Sequence, residues 1–293
     1  MKKTYFWISW AFVLILCLVS LLLLYEGVID YGITLFIVLP ACIGIVTGLF
    51  PKKASATLGM LLALASIILI IFTGRLEGAI CILLAIPVIA FFILIGLIIS
   101  YIIKKFTKKK DDLKLSAAPF FLLLASSAME FMWNGPGKFS EATSSITLQC
   151  PDSVAFDHIK KVDTVMAPAT FLHRLGLPYP RKCILTAEKI GGLRVCLFDE
   201  GTITETITDL KKNEWLAMDV TSYDMPGKNW FLFQNDFYKI ERKTGFVRIT
   251  RTTTYLSKLK PRLYWEWVEK ATIGAEQDLV FDNLKNEITY SSH

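Results

Sequence analysis

The sequence predicts an α-helical transmembrane bundle of five spans followed by an α+β domain, in which a curved antiparallel sheet surrounds a long C-terminal helix. Three observations predict this. Five apolar stretches crowd the first 133 of the 293 residues. Beyond them come segments of period-two alternation separated by turn signals. The last segment, from Pro261 to about Ile288, carries an apolar stripe at helical spacing.

The apolar stretches are 5–25, 31–50, 54–72, 79–103 and 115–133. Each is close to the ~20 residues that cross a ~30 Å hydrocarbon core at ~1.5 Å per residue. The first four hold no charged residue. A charge at mid-span costs about 2.5 to 3.5 kcal/mol on insertion scales, so runs this clean are not those of soluble core helices. The fifth is interrupted by Pro119, Ser126, Ser127 and Glu130. Met1-Lys2-Lys3 before an apolar run also has the form of a secretory signal, but the run is long and lacks a small-x-small cleavage site, so a retained first span is expected.

Lysine placement sets the orientation. Lys2 and Lys3 precede the first span, Lys52 and Lys53 separate the second from the third, and Lys104, Lys105, Lys108, Lys109, Lys110 and Lys114 separate the fourth from the fifth. The alternate loops carry Glu26 with Asp30 and Arg75 with Glu77. The positive-inside rule puts the N-terminus and the lysine loops in the cytoplasm, and five spans put the C-terminal domain outside it. The expected location is a bacterial inner (cytoplasmic) membrane, with the bilayer as first partner. If 115–133 only lies in the interface, the side of the domain inverts.

A net charge of +6 invites a nucleic-acid reading, and its distribution removes it. Residues 1–138 hold 12 Lys and Arg against 6 Asp and Glu, while residues 139–293 hold 20 of each. The excess sets topology, and the run from Lys104 to Lys110 can also attract anionic head groups. No nucleic-acid partner is expected.

Residues 134–144, rich in Gly, Pro, Ser and Thr, read as a linker between the membrane domain 1–133 and a domain at 145–293. Strand character starts at 145–150. Helix spacing follows from Asp152, placed to cap, through Val162, and a second short helix is expected within 165–180. Strands are expected at 182–190, 193–198, 202–208, 214–223, 231–241 and 246–256. The turns between them fall at Gly191-Gly192, Asp199-Glu200-Gly201, 209–213, Pro226-Gly227 and Lys243-Thr244-Gly245. Cys17, Cys42 and Cys81 lie in spans; Cys150, Cys183 and Cys196 are three in number. A two-residue turn at Gly191-Gly192 would set Cys183 opposite residue 200 and Cys196 opposite Ala187, so free thiols are expected.

One strand, two helices, six consecutive strands and a terminal helix leave a cavity between sheet and helix. This order, with R-L-G-L-P-Y-P from Arg174, G-T-I-T-E-T-I-T from Gly201, R-I-T-R-T-T-T from Arg248 and P-R-L-Y-W-E-W-V-E from Pro261, resembles the helix-grip fold. That is the fold of the START, birch-pollen-allergen and polyketide-cyclase (SRPBCC) superfamily, and the resemblance is to its membrane-anchored bacterial cyclase- or dehydrase-like members. It covers about residues 145–290. It implies a cavity for a hydrophobic ligand; members include lipid carriers, cyclases and proteins of no known activity.

Strand parity nominates the cavity residues. Ile203, Glu205 and Ile207 share one face of their strand, and Val247, Ile249, Arg251, Thr253 and Tyr255 share one face of the last strand. Glu205, Arg251, Ile203, Ile207 and Tyr255 are therefore the cavity candidates. An unpaired buried charge is costly, so Glu205 and Arg251 are expected to pair with each other or with a ligand head group. A solvated Glu205 at the sheet rim stays open. Glu276 and Asp278 are expected on the wet face of the last helix.

No catalytic constellation is recognisable. His158, His173 and His293 have no ligand partners at zinc spacing, and neither a nucleophile elbow, a P-loop nor a dinucleotide glycine pattern appears in its required context. No metal and no cofactor are expected. The many aromatics read as core and cavity lining, although Trp230, Phe231 and Phe233, or Trp265 and Trp267, could form a lip on the bilayer. Glu26, Asp30, Arg75, Glu77 and Glu130 read as loop charges near the outer interface rather than a site. The leading function is a membrane-anchored module that binds a lipid or other hydrophobic small molecule. The alternatives are an enzyme acting on such a ligand, with Glu205 as acid or base and Arg251 orienting it, and a structural or sensory protein without a ligand.

Overall fold

The structure, a computed structural model, describes residues 2–74, 76–106, 118–133 and 137–291. Arg75, Lys108, Lys109, Lys110, Lys114, His293 and the start of the expected fifth span at 115–117 lie outside the described residues. The chain forms two compact units, Met1–Pro136 with Lys258–Trp265, and Gly137–Ser257 with Glu266–His293.

The first unit is helical: α1 (Lys2–Tyr25), α2 (Leu39–Leu49, entered through a π-helical turn Thr34–Val38), α3 (Lys53–Thr73), α4 (Ala79–Phe106) and α5 (Ala118–Trp133). Among the described residues three helices, Lys3–Tyr25, Lys53–Thr73 and Ala79–Phe106, are long and apolar enough to cross a membrane, against the expected five. The other two apolar helices are shorter, Thr34–Leu49 and Ala118–Glu130. The first of these is cut at its start by Glu130, whose carboxylate oxygens accept the N–H groups of Ile33 and Thr34 at 3.0 and 3.1 Å and so cap the helix three residues later than Tyr31. Its sixteen residues reach about 24 Å.

Small residues let these helices meet backbone to backbone. A Cβ on Gly44 of α2 would run into the Ile93 carbonyl of α4, one on Gly96 into the Ala41 carbonyl, and one on Gly48 into the Ser100 hydroxyl. Gly44, Gly48, Gly96 and Ser100 thus form a small-xxx-small seam on both helices. The pairing of α1 with α3 repeats the device: Gly59 faces the Phe6 carbonyl, and Ser9 Oγ donates to the Ala56 carbonyl at 2.9 Å.

The bundle has two chemically distinct ends. At one, Tyr5 meets Phe50 at 6.2 Å, Lys53 Nζ stands 5.5 Å from the Tyr101 ring centre, and Lys104 Nζ donates to the Phe50 carbonyl at 3.0 Å, closing the C-terminus of α2. Lys3, Lys52 and Lys105 adjoin these residues in sequence. At the other, the Tyr31 hydroxyl donates to Glu77 and Glu130 caps residues 33 and 34. Segment Lys258–Trp265 joins that end: Lys260 N–H donates to the Tyr31 carbonyl at 3.2 Å, Tyr264 donates to the Leu84 carbonyl, and the Trp265 ring meets Phe36 at 4.8 Å in a tilted contact. Helix α5 starts at mid-bundle, where Cys42 Sγ donates to the Pro119 carbonyl at 3.7 Å and Phe120 meets Phe12 at 5.1 Å, and runs to the Glu130 end.

The second unit is a seven-stranded antiparallel sheet in the order β1-β7-β6-β5-β4-β3-β2. The strands are β1 (Lys138–Leu148), β2 (Pro180–Leu185), β3 (Leu193–Phe198), β4 (Thr202–Lys211), β5 (Trp215–Asp224), β6 (Phe231–Lys243) and β7 (Phe246–Ser257). Helices α6 (Asp152–Lys160) and α7 (Phe171–Arg174) follow β1, and α8 (Arg262–Ser291) ends the chain. The described part of the expected linker 134–144 is strand from Lys138 onward, because Ser140, Glu141, Ala142 and Thr143 pair with Tyr255, Thr254, Thr253 and Thr252 of β7. The short helix expected within 165–180 is reduced to the single turn of α7. Asp152 does not cap α6 with its side chain; it pairs with Arg242.

Burial along β7 alternates strictly from Val247 to Ser257, as its period-two pattern requires. One end of the sheet closes on a packed core, where Phe156 and Ile159 of α6 and Phe281, Leu284 and Ile288 of α8 meet Ile207, Leu216, Met218 and Ile249. Two β-bulges re-aim side chains next to the open space that remains. On β5 the register with β4 slips at Thr221, and on β6 the register with β7 slips at Gln234.

Candidate ligand cavity

The bulges place Val220 with Tyr223, and Phe233 with Asp236, on one cavity wall, although residues three apart in a regular strand face opposite ways. The cavity measures about 90 Å³. Its apolar lining includes Phe198, Ile203, Val220, Tyr223, Phe233 and Ile273; its polar lining is Glu205, Asp236, Arg251, Thr253, Thr272 and Glu276, with Lys228 at the β5–β6 connection. Helix α8 supplies Thr272, Ile273 and Glu276, held in rotation by Gln277 Nε2, which donates to Thr253 Oγ1 at 2.8 Å and to the Ala142 carbonyl at 3.3 Å.

Of the sequence-derived candidates, Ile203, Glu205 and Arg251 border this cavity. Ile207 and Tyr255 do not: Ile207 belongs to the packed core, and Tyr255 is enclosed with Ala142, Phe233 and Ile273. Glu205 is 3% exposed, so it is not a solvated rim residue. The expected pair of Glu205 with Arg251 is not formed. Arg194 Nη1 donates to Glu205 Oε2 at 2.8 Å, while Arg251 donates to Asp236 Oδ2 from Nε at 3.0 Å and Nη2 at 2.6 Å, and to Glu276 Oε2 from Nη1 at 2.9 Å. Each charge found a nearer partner on an adjoining element. Glu276, expected on the wet face of α8, faces the cavity, whereas Asp278 is exposed.

The two guanidiniums lie over the same ring, at 5.7 Å (Arg194) and 5.4 Å (Arg251) from the centre of buried Tyr238. Burial pushes the Glu205 carboxyl up to about 7; Arg194 opposes the rise and Asp236 adds to it. Burial also raises Glu276. Asp236 behaves differently: burial would raise it, but Arg251 and the Thr253 hydroxyl together hold it below the usual carboxylate range. Arg194, Asp236 and Glu276 were missed in the sequence. Parity marks the first two, because Arg194 shares a buried face with Cys196, and Asp236 with Tyr238 and Ile240.

The expectation of free thiols at Cys183 and Cys196 is overturned: the two form a disulfide. The β2–β3 connection spans residues 186–192 rather than a two-residue turn, which sets Cys183 directly opposite Cys196. Cys150 is free. Trp230 is buried and Trp265 packs on Phe36, so neither forms a bilayer lip; Trp267 is exposed. His173 is buried with Nδ1 2.6 Å from Thr170 Oγ1, and burial lowers its pKa; His158 pairs with Glu287 at 3.0 Å. Among the described residues no group of His, Cys, Asp and Glu is arranged to hold a metal ion.

A strand, two helices, six further antiparallel strands and a long helix over the sheet define a helix-grip domain, in agreement with the resemblance carried by the sequence. Similar solved structures include a START superfamily protein from Mycobacterium smegmatis (11% identity over 51% of this chain and 97% of that one, TM-score 0.37). Others are major latex-like protein 151 from Panax ginseng (12%, 50% and 99%, TM-score 0.33) and a point mutant of norcoclaurine synthase from Thalictrum flavum (10%, 55% and 100%, TM-score 0.37). No family model and no curated protein matches the chain. Ligand and chemistry therefore rest on this chain's own cavity.

Proposed function

We propose that the chain is a membrane-anchored binding protein whose helix-grip domain takes up a small, mostly apolar molecule bearing one polar group. The observation that carries this reading is the cavity between sheet and α8, apolar over most of its wall and charged at Glu205, Asp236, Arg251 and Glu276. At about 90 Å³ it is small beside the roughly 300–1,000 Å³ of drug-sized sites. A ring or head group fits, and a lipid's acyl chain would have to remain outside. Thermal shift of the full chain in detergent with straight-chain alcohols tests the reading. Alcohols of four to eight carbons should raise the melting temperature with concentration, as ligands of the native state do; no shift across the series would contradict it.

The site of action we propose is the non-cytoplasmic side of a bacterial inner membrane. Two observations support that side: α5 leads to the bundle end opposite the lysines, and the Cys183–Cys196 disulfide belongs to an oxidising compartment. Impermeant maleimide applied to intact cells should label K138C and spare K53C.

One observation favours a catalytic reading: a buried carboxyl with its pKa near neutrality has the poise of a general acid or base. Turnover lost in Glu205→Gln with uptake of the ligand retained would favour the enzyme over the carrier.

A further inference from the structure

The charges around the cavity do not balance. Three carboxylates border it, Glu205 from β4, Asp236 from β6 and Glu276 from α8, against the Arg251 guanidinium from β7. Arg194, from β3, stands behind Glu205 and is not on this wall. Lys228 also borders the cavity, but it is paired with Asp224 at 2.8 Å at the surface. Even counting Arg194, the buried group carries one more negative than positive charge when all are ionised. A net charge held in a low-dielectric interior is expensive, so the cluster by itself retains a proton that a bound cation can replace.

The hydrogen bonds show where that cation belongs. Asp236 is saturated: Oδ2 accepts Arg251 Nε and Nη2, and Oδ1 accepts the Thr253 hydroxyl. Both Glu276 oxygens accept Arg251 Nη1. Glu205 accepts one bond, at Oε2, and its Oε1 has no partner among the described residues although the side chain is only 4% exposed. Arg251, in turn, has each of its three nitrogens engaged by Asp236 or Glu276, so its charge is already met by two carboxylates. Arg194 Nε is without a partner, but it lies off this wall.

We propose that the ligand is a small amine, with its ammonium against Glu205 Oε1 and its apolar part among Phe198, Tyr223 and Phe233. This deepens the binding reading above and rests on it. The aromatic lining favours the same charge: Tyr223 and Phe233 meet edge to face at 5.7 Å, and ring faces attract cations. The charged groups that act on Glu205 are Arg194 on β3, Asp236 on β6 and Arg251 on β7, and Glu276 on α8 borders the same cavity. Burial keeps the Glu205 proton in place up to about pH 7, so below that pH the amine must displace it, one proton leaving for each ammonium bound.

Isothermal titration of the full chain in detergent with 2-phenylethylamine, 2-phenylethanol and phenylacetate, at pH 6 and pH 8, tests the proposal. The amine should bind most tightly at pH 8, and about tenfold more weakly at pH 6, as expected when one proton competes at a site that titrates near 7. The alcohol should bind alike at both. Glu205→Gln should remove the pH dependence of the amine and weaken it at pH 8 at least to the level of the alcohol, with alcohol binding serving as the check that the variant is folded. If that variant does not fold, the rank order and pH dependence in the wild type decide. The alcohol or phenylacetate binding as tightly as the amine at pH 8, or amine affinity indifferent to pH, would overturn the amine and leave the cavity reading standing. No binding by any of the three would overturn both.

Discussion

Both units bury a carboxylate, and they use it in opposite ways. In the helical unit, Glu130 engages both oxygens with the N–H groups of Ile33 and Thr34, and Gly32 is bare because a Cβ there would collide with that carboxylate. In the globular unit, Glu205 engages one oxygen with Arg194, and its side chain borders the cavity. A saturated carboxylate is architecture: it closes a helix end that lipid could not solvate. A half-saturated one on a cavity wall is a binding feature, because its unmet bond awaits a ligand. The same contrast holds for packing. The helices fit backbone to backbone at Gly44 and Gly96, with no room between them, whereas the sheet and α8 stay apart over the cavity.

The largest effect should come from breaking the charged cluster. Arg251→Leu strands Asp236 and Glu276 without their shared partner, and removing one side of a buried ion pair costs about 3–5 kcal/mol. Calorimetry should show the globular transition falling sharply while the helical content of the bundle persists. Next in size is the disulfide. With its cysteines at a sequence separation of 13, Cys183→Ser with Cys196→Ser should cost about 3 kcal/mol by loop-entropy reasoning, and mass mapping of the unreduced chain should find only Cys17, Cys42, Cys81 and Cys150 alkylated. Gly44→Leu addresses the other unit. Forcing a side chain between α2 and α4 should destabilise the bundle by about 1–3 kcal/mol in detergent melts and leave alcohol binding by the cavity unchanged.

The smallest effect is a pH dependence that sharpens the contrast. Burial raises the Glu205 carboxyl above its unfolded value, so its contribution to stability is complete below about pH 4.5 and is lost as pH rises through about 7. Asp236 has the opposite sign, being held low, and its contribution is lost only in strong acid. The globular melting temperature should therefore decline between pH 5 and pH 8, and Glu205→Gln should flatten that decline.

Much of the globular fold was legible because strand alternation is a strong signal. It sent Glu205 and Arg251 inward on β4 and β7, and the same rule, applied to Leu193–Phe198, would have found Arg194. What alternation could not supply was the bulges at Thr221 and Gln234, which insert one residue without a compositional mark and decide that Tyr223, Phe233 and Asp236 share a wall. Glu276 depended on the rotation of α8, fixed by the distant bonds of Gln277 to Thr253 and Ala142. The disulfide was missed for a local reason: Gly191-Gly192 has the composition of a tight hairpin, but the connection is longer, and the shift in register moves the partner of Cys183 from residue 200 to Cys196. In the helical unit, hydropathy located all five apolar segments but not their lengths. The length of 34–49 is set by a cap from Glu130, about 97 residues along the chain, which no local pattern encodes.

The account stands on the cavity being a ligand site rather than a packing defect, and native mass spectrometry of the full chain released from its own membranes tests that most directly. Wild type should carry a small molecule that Ile203→Trp, which fills the cavity, no longer carries, with the fold of the variant confirmed by its melting transition. A wild type that flies without any adduct, or an adduct that survives in folded Ile203→Trp, would contradict it.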